Sequence, residues 1–134
     1  MNFLKLCEEL TNQIQDSYES GITMEEAEKL AGKFLYAQIQ VSEELKKSDL
    51  DARMRKSGLK AIRAAVYLDA ATKGDKKPSD VLLEHLINQT PEVNQSQDGM
   101  DKAESERDHL QNYLNIFKDA HIHFRSIAKG SFGG

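Results

Sequence analysis

The stretch VNQSQDGMDKAESERDHLQNYLNIFKDAHIHFRSIA, residues 93–128, decides the fold because its core positions recur every three or four residues. Such alternation is typical of an amphipathic helix that buries one face. The positions of this seam are Val93, Ser96, Met100, Ala103, Arg107, Leu110, Leu114, Phe117, His121, Phe124 and Ala128. Ser96 adds little apolar surface and Gly99 disfavours helix, so the firm part of the seam runs from Ala103 to Ala128.

A heptad seam of this length favours burial against another helix, and we expect that helix to belong to a second copy of the chain. The apolar faces elsewhere in the chain are slim, which is the reason for expecting a homo-oligomer. The residues predicted to contact the second copy are Leu110, Leu114, Phe117, His121 and Phe124. Periodicity alone also fits the alternative that the seam is the core of a bundle within one chain.

Capping signals divide the rest of the sequence into shorter helices. Thr23 with Glu26, and Ser48 with Asp51, match the pattern S/T-x-x-E or a close variant of it that begins a helix. Together with the apolar spacing they predict helices over about 3–17, 23–47, 49–72 and 79–88, before Pro91 opens the long helix. Ser48 marks either a turn or a bend in one longer helix.

The helix predicted over 49–72 has an unusually narrow apolar face. Small residues on that face would let another backbone approach closely, as in a tight antiparallel hairpin with the preceding helix. The residues of the face are Met54, Gly58, Ala61, Ala65 and Leu68.

The composition agrees with an all-α protein. The chain has 134 residues, of which 39% are hydrophobic and 30% charged, with 2 Pro and no Trp. We therefore predict a helical hairpin or bundle with a long C-terminal amphipathic helix. The whole of 1–130 is expected to form one domain, and residues 131–134 a flexible tail.

Charge and cysteine content narrow the class further. The net charge is −4, so a nucleic-acid site would have to be a local basic patch. The single cysteine, Cys7, excludes an intramolecular disulfide, and we expect it to be a buried, inert thiol. No apolar run has the length of a membrane span and the N-terminus lacks a signal architecture, so we expect a cytoplasmic protein of a bacterium or a phage-infected cell, without a membrane partner.

One local patch of this kind follows the helix predicted over 49–72. Its basic residues and one tyrosine fall within a sector of roughly 100° around the helix axis. Such a stripe can follow a phosphate backbone, with the tyrosine stacking on a base. The predicted nucleic-acid contacts are Arg53, Lys56, Lys60, Arg63, Tyr67 and Lys73, the last from the loop that follows. The alternative is an ordinary solvated helix face.

Signals for catalysis and metal binding are weak. The sequence contains no P-loop, G-x-S-x-G, G-x-G-x-x-G or H-E-x-x-H motif. His121 and His123 project to different sides of a helix, so they cannot share a metal ion. Asp119 and His123 lie one turn apart, but a single pair is a poor metal signal. We therefore predict a non-enzymatic protein without cofactor or metal.

The stretch Leu59–Arg63, LKAIR, followed by Tyr67 and then by Lys73–Asp75, KGD, resembles the basic segment of the UvsY-type phage recombination mediators. The order of parts is similar over about residues 24–129. The resemblance implies an all-helical mediator that binds single-stranded DNA and forms a ring-like oligomer through its C-terminal helices. It also implies two protein partners, a recombinase and a single-strand-binding protein. On this resemblance Lys60, Arg63 and Tyr67 are DNA contacts.

Two other functions fit the same sequence. The first is a phage-type protein–protein interaction module, either an inhibitor of a host defence system or an assembly factor, with no nucleic-acid binding. The second is a small helical enzyme subunit. Salt-dependent binding of single-stranded DNA would separate the mediator from both.

Overall fold

A computed structural model of the chain describes residues 2–130, which contain four helices and no strand. The helices are α1 (Phe3–Ser20), α2 (Met24–Thr72), α3 (Asp80–Gln89) and α4 (Pro91–Ala128). The predicted all-α fold and the long C-terminal helix are confirmed. The predicted tail, residues 131–134, lies outside the described residues.

Polar side chains begin the helices where the sequence predicts them to. At α2 the backbone N–H of Glu26 donates to the Thr23 hydroxyl at 3.1 Å, and that hydroxyl donates to the Glu26 carboxylate at 3.0 Å. Ser79 caps α3 by accepting from the N–H of Leu82 at 3.2 Å. These contacts satisfy amide donors that the first turn of a helix leaves unpaired.

Glycines with a left-handed backbone end α1 and follow α4. Gly21 has φ 72° and ψ 160°, and its N–H donates to the carbonyl of Ser17 at 3.0 Å. Gly130 has φ 67°, and its N–H donates to the carbonyl of Ile127 at 2.9 Å. Only glycine adopts such angles at little cost, which is why both ends are readable from the sequence.

Of the two alternatives at Ser48, the turn is absent and the single longer helix is present, because α2 is one continuous helix of 49 residues. The acids that suggested a new helix start instead pair along the helix. Asp49 lies 3.0 Å from Arg53 and Asp51 lies 3.1 Å from Arg55, each pair four residues apart. Such pairs support the interior of a helix. The predicted hairpin between 23–47 and 49–72 is therefore absent.

The described residues divide into two compact units. The first unit contains residues 2–46 and 108–130, and the second contains residues 47–107. Both boundaries fall inside helices α2 and α4 and not in a loop, so no linker composition marks them in the sequence. The single domain of the sequence analysis stays a prediction.

Three phenylalanines from two helices form the centre of the first unit. The ring of Phe34 lies 5.5 Å from that of Phe117 and 5.6 Å from that of Phe124, and all three have 0% exposure. Cys7 and Leu10 of α1 pack into the same cluster. Three helical segments thus share one core, whose rings each bury a large apolar surface.

A smaller core holds the second unit together. Leu59 of α2, Ile87 of α3 and Val93 of α4 are buried against one another. Arg63 adds a polar link from α2 to α3, since its Nη2 lies 2.6 Å from Glu84 and its Nη1 3.2 Å from Asn88. These contacts fix the face of α2 that turns inward and the face that stays exposed.

Candidate nucleic-acid interface

Three of the predicted cations form an exposed group on α2 in the second unit. Arg53, Lys56 and Lys60 follow one another at intervals of about one turn, on the same side of the helix, and all three are exposed. Lys56 and Lys60 make no ion pair within residues 2–130. We call Arg53, Lys56 and Lys60 the cationic face.

The guanidinium of Arg53 stays accessible to a phosphate although it forms an ion pair. Its Nε lies 3.0 Å from the Asp49 carboxylate, and its side chain is 76% exposed. An ion pair so open to water contributes little free energy, so a phosphate competes with it at small cost. Arg53 therefore belongs to the cationic face together with the two lysines.

Arg63 has a structural role that the sequence does not reveal. Its guanidinium contacts Glu84 and Asn88 of α3, and its side chain is only 32% exposed. The charge of Arg63 is thus compensated within the chain. We do not keep Arg63 among the proposed DNA contacts, because a phosphate would have to displace Glu84 from its guanidinium.

Tyr67 is half-buried against the core of the second unit. The Nζ atom of Lys77 lies 5.7 Å from the centroid of its ring, over one face. Hydrogen bonding to Tyr67, and then the charges of Tyr67 and Asp80, raise the pKa of Lys77. Partial burial of Tyr67 and the position of Lys77 leave little of the ring open to a base, so Tyr67 also leaves the proposed contacts.

Lys73 stands apart from the cationic face. It follows the last residue of α2, and its ammonium lies 3.9 Å from the carboxylate of Asp69. Both side chains are more than two-thirds exposed, so this pair is weak. Lys73 as a phosphate contact therefore stays a prediction, and we do not include it in the cationic face.

The seam residues assigned to a second copy are used inside one chain. Leu110, Leu114, Phe117 and Phe124 are buried in the first unit. His121 contacts the backbone oxygen of Ala31 through its Nδ1 at 2.9 Å. The reason for placing another copy against these residues, an apolar face without an internal partner, no longer holds, and we no longer assign them to an oligomer interface. Self-association itself stays a prediction.

The apolar face predicted for residues 49–72 is exposed. Met54 and Leu68 are 64% and 61% exposed, and the residues between them, Gly58, Ala61 and Ala65, are exposed as well. Leu50, which the sequence analysis did not include, extends this face with 60% exposure. We call Leu50, Met54, Ala61, Ala65 and Leu68 the apolar stripe. Its expected burial is wrong because the hairpin that would cover it does not exist.

The buried face of α2 in the second unit is a different one. Ala52 and Leu59 are buried and Val66 is partly buried, at intervals of seven residues. That interval is itself a helical signal, and it could have identified this face. The small residues of the apolar stripe concealed it, because they gave a second pattern of similar strength on the same helix.

Other kinds of site have little support within residues 2–130. No three side chains of His, Cys, Asp or Glu in that range come together to hold a metal ion. Burial raises the pKa of the Cys7 thiol to about 11, so the thiol stays protonated near neutral pH. None of the four helices is long and apolar enough to cross a membrane.

The chain matches no model of a protein family, no curated protein and no solved structure.

Proposed function

We propose that this is a non-enzymatic protein that binds single-stranded nucleic acid through the cationic face. The observation that carries the proposal is the exposure of Lys56 and Lys60 without an intramolecular ion pair, beside the exposed Arg53. Because the net charge of the chain is −4, attraction of a nucleic acid has to come from a local group of cations such as this one. The phosphates of a nucleic-acid backbone are ligands that exposed lysines and arginines bind.

The cationic face fits a short contact with a nucleic-acid backbone. Arg53 and Lys60 are seven residues apart, which is on the order of 10 Å along a helix axis. Three cations neutralise about three phosphates, and each phosphate of a single strand contributes about −0.7 to the salt slope. We therefore expect log Kobs to fall with log salt concentration with a slope of about −2.

The more specific role, loading a recombinase on DNA covered by a single-strand-binding protein, rests on the resemblance of LKAIR, Tyr67 and KGD to the UvsY-type mediators. Of the three residues that the resemblance implies as DNA contacts, Lys60 is exposed, whereas Arg63 contacts Glu84 and Tyr67 lies against Lys77. A recombinase and a single-strand-binding protein therefore stay proposed partners that follow from the resemblance alone.

A fluorescence titration of labelled oligo-dT over a salt series tests the proposal. Lys56→Ala with Lys60→Ala should lower the affinity about tenfold at low salt and reduce the slope by more than one unit. Lys5→Ala with Lys129→Ala is the matched control, since it removes two exposed lysines of the first unit and should bind like the wild type. Absence of oligo-dT binding by the wild type at low salt would overturn the proposal.

A second candidate is a protein–protein interaction module, which the exposed apolar stripe favours. Three large side chains, Leu50, Met54 and Leu68, each more than half exposed on one helix face, are typical of a surface that binds protein. A second copy of the chain is the partner that the predicted homo-oligomer would supply. Light scattering of Leu50→Ser with Leu68→Ser should then give a smaller species than the wild type. A wild-type monomer would exclude this use of the stripe.

A further inference from the structure

A groove of about 340 Å³ runs between α2 and α4 within the first unit. Its apolar floor consists of Leu35 and Ile39 from α2 and Leu114 from α4. Leu35 is 47% and Ile39 56% exposed, although both lie next to the buried core. Covering two large aliphatic side chains removes apolar surface from water, which favours binding of an apolar group here.

An unpaired amide also lies in this groove. The Nε2 atom of Gln38 is shielded from solvent and has no hydrogen-bond acceptor within the described residues. Leaving a buried donor unpaired costs about 1–3 kcal/mol. A ligand that offers a carboxylate or carbonyl oxygen would recover part of that cost once the Gln38 side chain rotates toward the groove that it lines.

The charges around the groove indicate the sign of the occupant. Lys46 and Lys118 line it, are exposed, and make no ion pair within residues 2–130. Glu43 is the one acid among the lining residues. The groove is therefore cationic on balance, in contrast to the net charge of −4 of the whole chain. Complementarity favours a ligand with carboxylates.

We propose that this groove binds an acidic amphipathic helix of a partner protein. Its apolar side chains cover Leu35 and Ile39, and its carboxylates contact Lys46 and Lys118. Rotation of the Gln38 side chain would bring its amide to the same carboxylates. The α2 lining runs from residue 35 to residue 46, on the order of 16 Å, which matches about three turns of a bound helix. A helix laid against two packed helices follows the usual geometry of bundles and of groove-bound peptides.

The groove belongs to the first unit and the cationic face to the second. The inference consequently goes beyond the proposed nucleic-acid binding and does not depend on it. Loss of oligo-dT binding would leave the groove proposal intact, and a failure of the groove proposal would leave the cationic face intact.

A displayed library of helical peptides tests the chemistry of the partner without knowing its identity. Each peptide carries fixed Leu residues on one face and a random choice of Glu or Lys at the flanking positions. Selection on the full-length protein should enrich Glu at least tenfold over Lys. Binding of a selected, labelled peptide should weaken at least tenfold in Lys46→Glu with Lys118→Glu, and in Leu35→Ser with Ile39→Ser.

Matched variants and one spectroscopic signal complete the test. Tyr36→Ser changes an exposed side chain on the same helix that does not line the groove, and Lys5→Glu with Lys129→Glu reverses two exposed charges elsewhere. Both controls should bind the peptide like the wild type. The side-chain amide resonance of Gln38 should shift when the selected peptide is added.

Four results would overturn the proposal. The first two are the absence of any binder and equal selection of Glu and Lys. The third is peptide binding that survives Leu35→Ser with Ile39→Ser, and the fourth is a particle mass of that variant below the mass of the wild type in light scattering. The last result would mean that a second copy of the chain fills the groove.

Discussion

The Nδ1 atom of His121 lies 2.9 Å from the backbone oxygen of Ala31 and joins α4 to α2 inside the first unit. The two residues are 90 positions apart in the sequence. His121 occupies a seam position between Phe117 and Phe124, both fully buried. The polar side chain of His121 at this seam position therefore has a specific hydrogen-bond acceptor within the chain, the backbone oxygen of Ala31.

Replacing His121 should consequently weaken the first unit. We expect His121→Ala to lower the free energy of unfolding by about 1–3 kcal/mol, because it removes both the hydrogen bond and packed atoms. Urea denaturation followed by circular dichroism measures the change. His85→Ala, at an exposed position of α3, is the control and should be nearly neutral. Equal stability of the two variants would mean that the contact with Ala31 contributes nothing.

Gly21 and Gly32 offer a pair of identical substitutions with opposite expected signs. Gly21→Ala should destabilise the protein by about 1–3 kcal/mol, since φ 72° with ψ 160° is strained for alanine. Gly32→Ala should stabilise it by up to about 1 kcal/mol, because Gly32 is helical and a Cβ there meets nothing within 4 Å. Thermal unfolding of both variants gives the comparison, and a stabilising Gly21→Ala would contradict the observed backbone.

Gly99 lies against Arg55, and this contact decides what a methyl group does there. A Cβ on Gly99 would come within 2.9 Å of the Arg55 Nη1, the mobile end of a half-exposed side chain. Moving that end weakens only the ion pair with Asp51, about 0.3–0.5 kcal/mol, and alanine gains about 1 kcal/mol of helix propensity. Gly99→Ala should therefore stabilise the protein slightly. A loss of stability that disappears in the double variant with Arg55→Ala would show that Arg55 cannot move away.

Lys60 and Arg63, one turn apart on α2, should separate DNA binding from stability. Arg63→Ala should lower the free energy of unfolding by about 1 kcal/mol through its lost contacts with Glu84 and Asn88, discounted for partial exposure. Lys60→Ala should leave stability unchanged and weaken oligo-dT binding. Each variant removes one basic side chain from α2, so each serves as the control of the other. If Arg63→Ala weakened oligo-dT binding without loss of stability, Arg63 would return to the proposed contacts.

The thiol of Cys7 should be unreactive in the folded protein. Its pKa is raised from 9.0 to about 11 by burial, so at pH 8 it holds about a hundredfold less thiolate than an unfolded cysteine. Iodoacetamide should modify it slowly in buffer and rapidly in denaturant. Burial of the protonated Cys7 thiol stabilises the folded state. Because the folded pKa is raised, this contribution to the free energy of unfolding is complete below pH 9 and is lost as the pH rises through 11. Rapid alkylation of the folded protein would contradict the burial.

Helix ends were predictable because their causes are local. The contacts at Thr23, Gly21 and Gly130 join residues no more than four positions apart. The capping pattern at Ser48 left a turn and a longer helix both open for the same reason. A serine followed by two acids also suits the interior of a helix when arginines follow at the right spacing, as Asp49 with Arg53 shows.

The candidate site was predictable only in part. The positions of Lys56 and Lys60 on one face follow from helical spacing, whereas the role of Arg63 depends on Glu84, 21 residues later. Spacing also cannot tell which of two apolar patterns on α2 is covered. Leu59 is buried and Met54 exposed because α3 and the start of α4 pack on one side only within the second unit.

The division of the chain also determines when each unit can fold. The second unit is a continuous segment, residues 47–107, and its links join residues a few tens of positions apart or fewer, as between Arg63 and Glu84. The first unit needs segments from both sides of that stretch, as the 90 positions between Ala31 and His121 show. Closing long loops is slow, so the second unit is expected to form first. During synthesis Phe34 would lack its contacts with Phe117 and Phe124 until those two residues had left the ribosome.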